Sequence, residues 1–477
     1  MRTTEKRTTL GLVVGTRNIF NGEMAIDARK QLMKLMDELG FGSVILPLDA
    51  TPFGAVETRA DAFKYAKLFK EQREEIDGIV VILPNFGDEI GIVETIHGAG
   101  LNVPVLVQAC NDDVEKVDVR SRRDAFCGKI SVTNNFYQYG IPFTDTTSHT
   151  SDIDGQEFKH DLQNFAATCR TVRGLSNARI GSIGARTGAF QTVRYSEKLL
   201  QASGITVVTC DLSEMIFGAQ RLKDDDAAVQ QRLEELQDYG KIAPCIAKEK
   251  VLRQAKFTTV VNRWMEENEC DASAIQCWTS IQDNYGCATC ATMSMMGEDL
   301  MPSACEVDVA GAISMYALTL AAGTPSGLLD WNNNYASDPD KCVCTHCSNY
   351  PKSFMGSEVE IGNLDVLGTV LEEDSCFGAI KGKVAPGPMT YFRLSTDDAK
   401  GTIRTYVGKG EFTDDPFGMD GGIAVCHVTK LRKLLKHICA NGFEHHVAMV
   451  RGDVANVVDE AISKYLKWDL YHHGLDE

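Results

Sequence analysis

An α/β fold is predicted for this chain: two doubly wound α/β domains with parallel sheets, followed by a β-rich C-terminal domain with an antiparallel, barrel-like sheet. Three features of the 477-residue sequence lead there. Residues 8–110 alternate apolar strand-like runs with amphipathic helical ones, the pattern of a parallel sheet covered by helices on both faces. The alternation restarts at ARIGSIG, residues 178–184. From about Gly356 helical periodicity gives way to short runs punctuated by glycine, as in an antiparallel sheet or small barrel. The divisions that follow are 1–172, an N-terminal α/β domain; 173–355, a central α/β domain carrying most of the candidate ligands; and 356–477, a β-rich domain with a terminal helix. A chain of this length needs more than one core.

Taken in order, TLGLVVG gives a first strand, MAIDARKQLMKLMDELG a helix closed by Gly40, and GSVILPL a second strand. ADAFKYAKLFKEQREE is the next helix, and DGIVVILP and VPVLVQA are two further strands. Ligands in such sheets sit beyond the carboxyl ends of the strands, where Arg17 follows the first one. No G-x-G-x-x-G follows that strand, which argues against a dinucleotide site, and GARTGAF after ARIGSIG lacks the fingerprint too. Residues 148–174 form a helix-containing link. The second unit then runs through a helix around VRYSEKLLQASG, the strand ITVVTCDL, two helices at 222–241 and 248–271, and the strand ASAIQCW. DVAGAISMYALTLAAG has the apolar density of a buried helix, and the runs ending at Asp330 and His346 read as short buried strands.

A net charge of −18 offers no basic field to offset phosphate repulsion, so nucleic acid and anionic membranes are excluded as partners. The apolar run Leu10 to Val14 is too short for a secretion signal, and no run reaches membrane-spanning length. A cytoplasmic location follows, and the sixteen cysteines then read as reduced thiols.

Glu306 and Asp330 lie 330 − 306 = 24 residues apart, the span of one helix and its return strand. Carboxylates at the ends of buried elements are costly unless paired, hydrogen-bonded or bound to metal. Together with His346 and one of the pair His445-His446 they form a set that suits Mn²⁺ and accepts Co²⁺ or Fe²⁺. Two such carboxylates can divide the roles of general base and acid, and spacing does not say which is the base. The cysteines offer a second arrangement. Cys287-x2-Cys290 and Cys342-x-Cys344-x2-Cys347, with Cys305 nearby, could bind zinc or an iron–sulfur cluster.

The segments RIGSIGARTGAFQTVRYSEKLL, AIQCW, ACEVDVAGAISMYAL, GLLDWNN and CTHCSNYP resemble those of the L-fucose/L-arabinose isomerase superfamily, in matching order over most of the chain. The resemblance implies three domains, a homo-oligomer with a hexamer favoured and the site near a subunit interface, and a Mn²⁺-dependent aldose–ketose isomerase working through a cis-enediol on a small sugar. By the same resemblance Glu306, Asp330, His346 and His446 are the metal ligands, Glu306 and Asp330 the acid–base pair, and Arg17, Gln276 and Asn332 contact the substrate. The sugar stays open among L-fucose, D-arabinose, L-arabinose and a sugar with an anionic group at C6, such as sulfoquinovose. Arg17, Arg186 and Arg194 are candidates to meet such an anion. A non-catalytic sugar-binding protein of the same fold is the rival reading.

Overall fold

The computed structural model describes residues 3–372 and 375–475. It divides into two compact units, one comprising Thr3–Arg173 with Glu460–Lys467, the other Gly174–Asp459 with residues 468–475.

In the first unit five strands form an all-parallel sheet in the order Gly42–Val44, Thr9–Val14, Gly78–Leu83, Val105–Ala109, Thr144–Asp145. The first strand lies inside the sheet and the chain winds outward both ways from it, the doubly wound arrangement the alternation predicts. Its residues alternate in allegiance. Leu10, Leu12 and Val14 pack with Leu32, Leu35 and Phe158 on one face, and Val13 packs with Phe69 and Ile92 on the other. Helices on both sides explain why the central strands Gly78–Leu83 and Val105–Ala109 are apolar at almost every position.

The second unit contains a parallel sheet of four strands, ordered Ser303–Cys305, Ala272–Ile275, Arg179–Ile183, Thr206–Cys210. It also contains a mixed sheet of eleven strands. Between them lies the helix Val309–Ala322, which packs on strands of both sheets and is buried on every side. A helix clad in protein all round has no need of a polar face, and this one has none. The mixed sheet begins before the glycine-punctuated region. Ser326–Asp330 pairs antiparallel with His446–Arg451, and Asp338–His346 pairs antiparallel with Gly422–His427. Asp330 and His346 therefore stand on the mixed sheet, while Glu306 follows a strand of the parallel one. Among the described residues, no helix is long and apolar enough to cross a membrane.

Candidate metal centre

Strand Ser303–Cys305 turns into helix Val309–Ala322 through a strained corner. Glu306 and Val307 both adopt left-handed backbone, with φ of 61° and 56°. For a non-glycine residue, and above all a β-branched valine, that conformation costs roughly 1–3 kcal/mol and persists only where packing enforces it. Asp308 closes the corner as the helix N-cap, accepting a hydrogen bond from the Gly311 N–H at 2.8 Å. The result aims Glu306 away from the helix axis and toward the end of the mixed sheet.

There the register supplies its partners. Asp330 and His446 are directly opposed across an antiparallel pair, so their side chains share one face. His446 Nε2 lies 3.0 Å from Glu306 Oε2 and 3.5 Å from Asp330 Oδ1. His346, at the end of its own strand, places Nε2 4.0 Å from an oxygen of each carboxylate. Glu306 Oε2 and Asp330 Oδ1 are buried yet accept no hydrogen bond of acceptable geometry from a described residue. The 3.0 Å approach of His446 Nε2 to Glu306 Oε2 is a close charge contact that falls short of hydrogen-bond geometry. Ligand atoms of Glu306, His346 and His446 lie within 4.8 Å of one another, and so do those of Asp330, His445 and His446. The two groups share His446, and this donor set fits a divalent cation of intermediate hardness.

Each ligand is oriented from behind. His446 Nδ1 donates to Asp308 Oδ2 at 2.8 Å, which turns Nε2 toward the carboxylates of Glu306 and Asp330. Asp308 in turn receives a bidentate pair of hydrogen bonds from Arg393 at 2.6 and 3.1 Å, and Arg393 Nε donates to Glu444 at 3.2 Å. Asp308 and Arg393 are wholly inaccessible to solvent. Trp278 Nε1 donates to Glu306 Oε1 at 3.1 Å, fixing that carboxylate with its other oxygen toward the imidazoles. Behind His346, Nδ1 lies 3.3 Å from the sulfur of Cys347. Burial alone would raise the Asp308 pKa, but Arg393 and His446 outweigh it and hold the carboxyl well below the usual carboxylate range. Burial alone would lower the His446 pKa, but Asp308 and Glu306 beside it raise it to about 9.

That last shift has a measurable consequence. In the metal-free protein His446 keeps its proton from the ordinary value of 6.5 up to about 9, and its stabilising contribution is lost as pH rises through that upper value. A cation must displace this proton, so its affinity should strengthen with pH across the same window. Calorimetric titration of metal into stripped protein at pH 7, in buffers of different ionisation enthalpy, should register release of at least one proton. Uptake without proton release would contradict the ligand role of His446.

The other expected residues are placed as follows. His445 is the more exposed of the histidine pair; it lies 4.0 Å from Asp330, as His346 does, whereas His446 is buried among the carboxylates and comes to 3.5 Å. Asn332 Oδ1 accepts from the N–H and hydroxyl of Thr345, at 2.5 and 2.7 Å, so that oxygen braces the strand end next to His346. Gln276 Oε1 accepts from the Ala185 N–H at 2.9 Å. Arg17 lies in the first unit, where it is paired with Glu89, donates to the Gly87 carbonyl at 3.1 Å and lies over the Phe86 ring. The thiol sets grouped by sequence spacing separate. Cys342 and Cys344 touch each other, sulfur to sulfur at 3.6 Å, and Cys287 is buried in the apolar core. Cys347 instead meets Cys305 at 3.3 Å. Sequence reasoning missed the bracing roles of Asp308, Trp278, Arg393 and Glu444. A lone arginine inside the apolar run MTYFRL was the available sign of the buried network.

Two family models match the chain: fucose/sulfoquinovose isomerase, N-terminal domain, over residues 11–176, and L-fucose isomerase, C-terminal domain, over residues 344–473. Among curated proteins, a sulfoquinovose isomerase of Priestia aryabhattai is 26% identical over 358 residues, 74% of this chain and 76% of that protein. One from Alkalicoccus urumqiensis is 26% identical over 368 residues, 75% of this chain and 78% of that protein. A third, from Clostridium sp. (strain MSTE9), is 23% identical over 304 residues, covering 62% and 65%.

Proposed function

Since this chain belongs to the fucose isomerase-like superfamily and is an isomerase, we propose that it interconverts the aldose and ketose forms of a sugar bearing an anionic group at C6, of the sulfoquinovose type. The observation that carries the isomerase chemistry is the convergence of Glu306, Asp330, His346 and His446 around two unpartnered carboxylate oxygens. That intact set also speaks against a non-catalytic sugar-binding role. The names of the relatives support the C6-anionic substrate better than L-fucose, D-arabinose or L-arabinose.

Glu306, Asp330, His346 and His446 would hold a divalent cation, which we take to be Mn²⁺, and it would supply Lewis acidity that acidifies the hydrogen at C2 of the open-chain sugar. Glu306 removes that proton and returns it to C1 through a cis-enediol, while Asp330 moves a proton between the two oxygens. Overall nothing is gained or lost, as an isomerisation requires. The Trp278 hydrogen bond holds one Glu306 oxygen and so fixes the orientation of the carboxylate.

A cleft of about 1000 Å³ favours the anionic substrate. Arg186, Arg194, Lys400 and Arg404 contribute to its lining alongside Asp397, Asp398 and Glu444, and it reaches Val307, which follows Glu306 in the chain. Among the described residues the Arg186 and Arg194 side chains donate to the carbonyls of Thr187 and Gln191, which a sulfonate can compete with. Asn332, Gln276 and Arg17 are retained as candidates for the sugar hydroxyls. The reading extends to a cytoplasmic homo-oligomer, hexameric by the family resemblance.

The test is ketose formation by metal-stripped protein restored with Mn²⁺, against sulfoquinovose, L-fucose, D-arabinose and L-arabinose. Mn²⁺-dependent turnover of the sulfonated sugar above the neutral ones is expected. Arg186→Ala with Arg194→Ala should raise its KM about tenfold or more at little change in kcat, since a hydrogen bond to a charged group contributes ~1.5–3 kcal/mol. Preference for a neutral sugar, or a KM untouched by the double variant, would refute the anionic reading.

A further inference from the structure

We infer that the protein carries a second, thiolate-lined metal site for a soft tetrahedral cation of the Zn²⁺ class, built from Cys277, Cys290, Cys305 and Cys347 directly behind the carboxylate–imidazole centre. The first three elements come from the parallel-sheet part of the second unit. Cys277 follows strand Ala272–Ile275, Cys305 ends strand Ser303–Cys305, and Cys290 opens helix Cys290–Glu298. Cys347 comes from the mixed sheet, one residue past strand Asp338–His346.

Their sulfurs converge. Ligand atoms of Cys277, Cys305, Cys347 and a Glu306 oxygen all lie within 4.8 Å of one another. Cys305 and Cys347 are 3.3 Å apart, and Cys290 Sγ donates to the Cys347 carbonyl at 3.3 Å. Bonds of ~2.3 Å from zinc to sulfur put tetrahedral thiolates about 3.8 Å apart, near the 3.3 Å between Cys305 and Cys347. Cys277, Cys290 and Cys305 are fully buried, and packing alone would bring together leucines or alanines here as readily as thiols.

The surroundings suit metal-bound thiolates. His346 Nδ1 can donate to Cys347 across 3.3 Å, which favours a thiolate there. On binding, each thiol that coordinates gives up its proton, and the ion takes the electron pair of the sulfur with no change in oxidation state. The cluster is set apart from the neighbouring centre by ligand chemistry, since thiolates select soft cations and carboxylates with imidazole take harder ones. Its position gives it a purpose. Cys305 precedes Glu306 and Cys347 follows His346, so one bound ion would clamp the backbone of two ligands of the catalytic centre, one from each sheet.

This proposal stands apart from the isomerase reading and is tested without activity. Protein purified anaerobically and stripped of metal is titrated with Co²⁺, whose thiolate charge-transfer band cannot arise at a site of carboxylates and imidazoles. One equivalent of Co²⁺ should develop that band, and Zn²⁺ should abolish it and shield four thiols from alkylation. Cys277→Ser and Cys290→Ser should each weaken the band, whereas Cys342→Ser, in the separate thiol pair, should leave it intact. The wild-type titration needs no variant to fold. Saturation with Co²⁺ and no thiolate band, or alkylation of all four thiols at full rate with Zn²⁺ present, would overturn the proposal. So would a disulfide between Cys305 and Cys347 in the anaerobic protein.

Discussion

Glu306→Gln should lower kcat for ketose formation by about 10²–10⁴-fold, the usual worth of a positioned general base, with the fold and the thermal midpoint little changed. The substitution preserves shape. A glutamine at this corner can still accept the Trp278 hydrogen bond, made at 3.1 Å to the oxygen that faces away from the imidazoles. What disappears is the charge on the second oxygen, which is buried and lies 3.0 Å from His446. Asp330→Asn should also lower kcat, and the two effects separate in deuterium oxide. If Glu306 is the base, Glu306→Gln loses exchange of the C2 hydrogen along with ketose formation. Asp330→Asn, with the base intact, should still exchange that hydrogen faster than it makes ketose. Proton NMR of the recovered sugar distinguishes the cases. Full exchange in Glu306→Gln would transfer the role of base to Asp330.

How these residues meet shows what a sequence can convey. The helix between Glu306 and Asp330 is legible because burial on every side leaves an unbroken apolar run, and its length fixes the separation of the two acids. The parallel sheets are legible for a similar reason, since strands covered on both faces are apolar throughout. The choice between His445 and His446 is not legible. Either could face the metal until the pairing of Asp330 with His446 sets the face, and a slip of one residue would reverse it. The left-handed corner at Glu306 and Val307 is hidden as well, because valine advertises the opposite conformation and only the packed structure enforces it. Cysteine spacing misleads for a related cause. Cys342 and Cys344 are two apart on a strand and so share a face, while Cys347 lies beyond the strand end and meets sulfurs from the other sheet. Chain proximity groups thiols that strand geometry then separates.

Arg393→Ala should destabilise the protein by about 3–5 kcal/mol, the range for breaking a buried ion pair by removing one partner. Arg393 is wholly buried and bridges Asp308 and Glu444, so its loss strips the wholly buried Asp308 of a bidentate counter-charge in a medium that cannot solvate it. Ser395 donates one hydrogen bond to Glu444, at 2.9 Å, and His446 one to Asp308, and neither replaces a guanidinium that spans both. The pH dependence identifies the cause. In the parent, Asp308 is held below the usual carboxylate range, so its stabilising contribution is present at neutral pH and lost only on strong acidification. In the variant the stranded Asp308 should take up a proton at higher pH than in the parent, which removes the buried charge. The gap in stability should therefore narrow between pH 7 and pH 5, as read from urea melts at the two values. A gap of constant size would mean that Arg393 acts through the packing of its side chain and not through its charge. Activity should fall as well, because Asp308 also orients His446 through Nδ1. Arg393→Lys offers the discriminating control. It retains a charge but cannot make the bidentate contact to Asp308 while also reaching Glu444, so it should recover part of the stability and less of the activity.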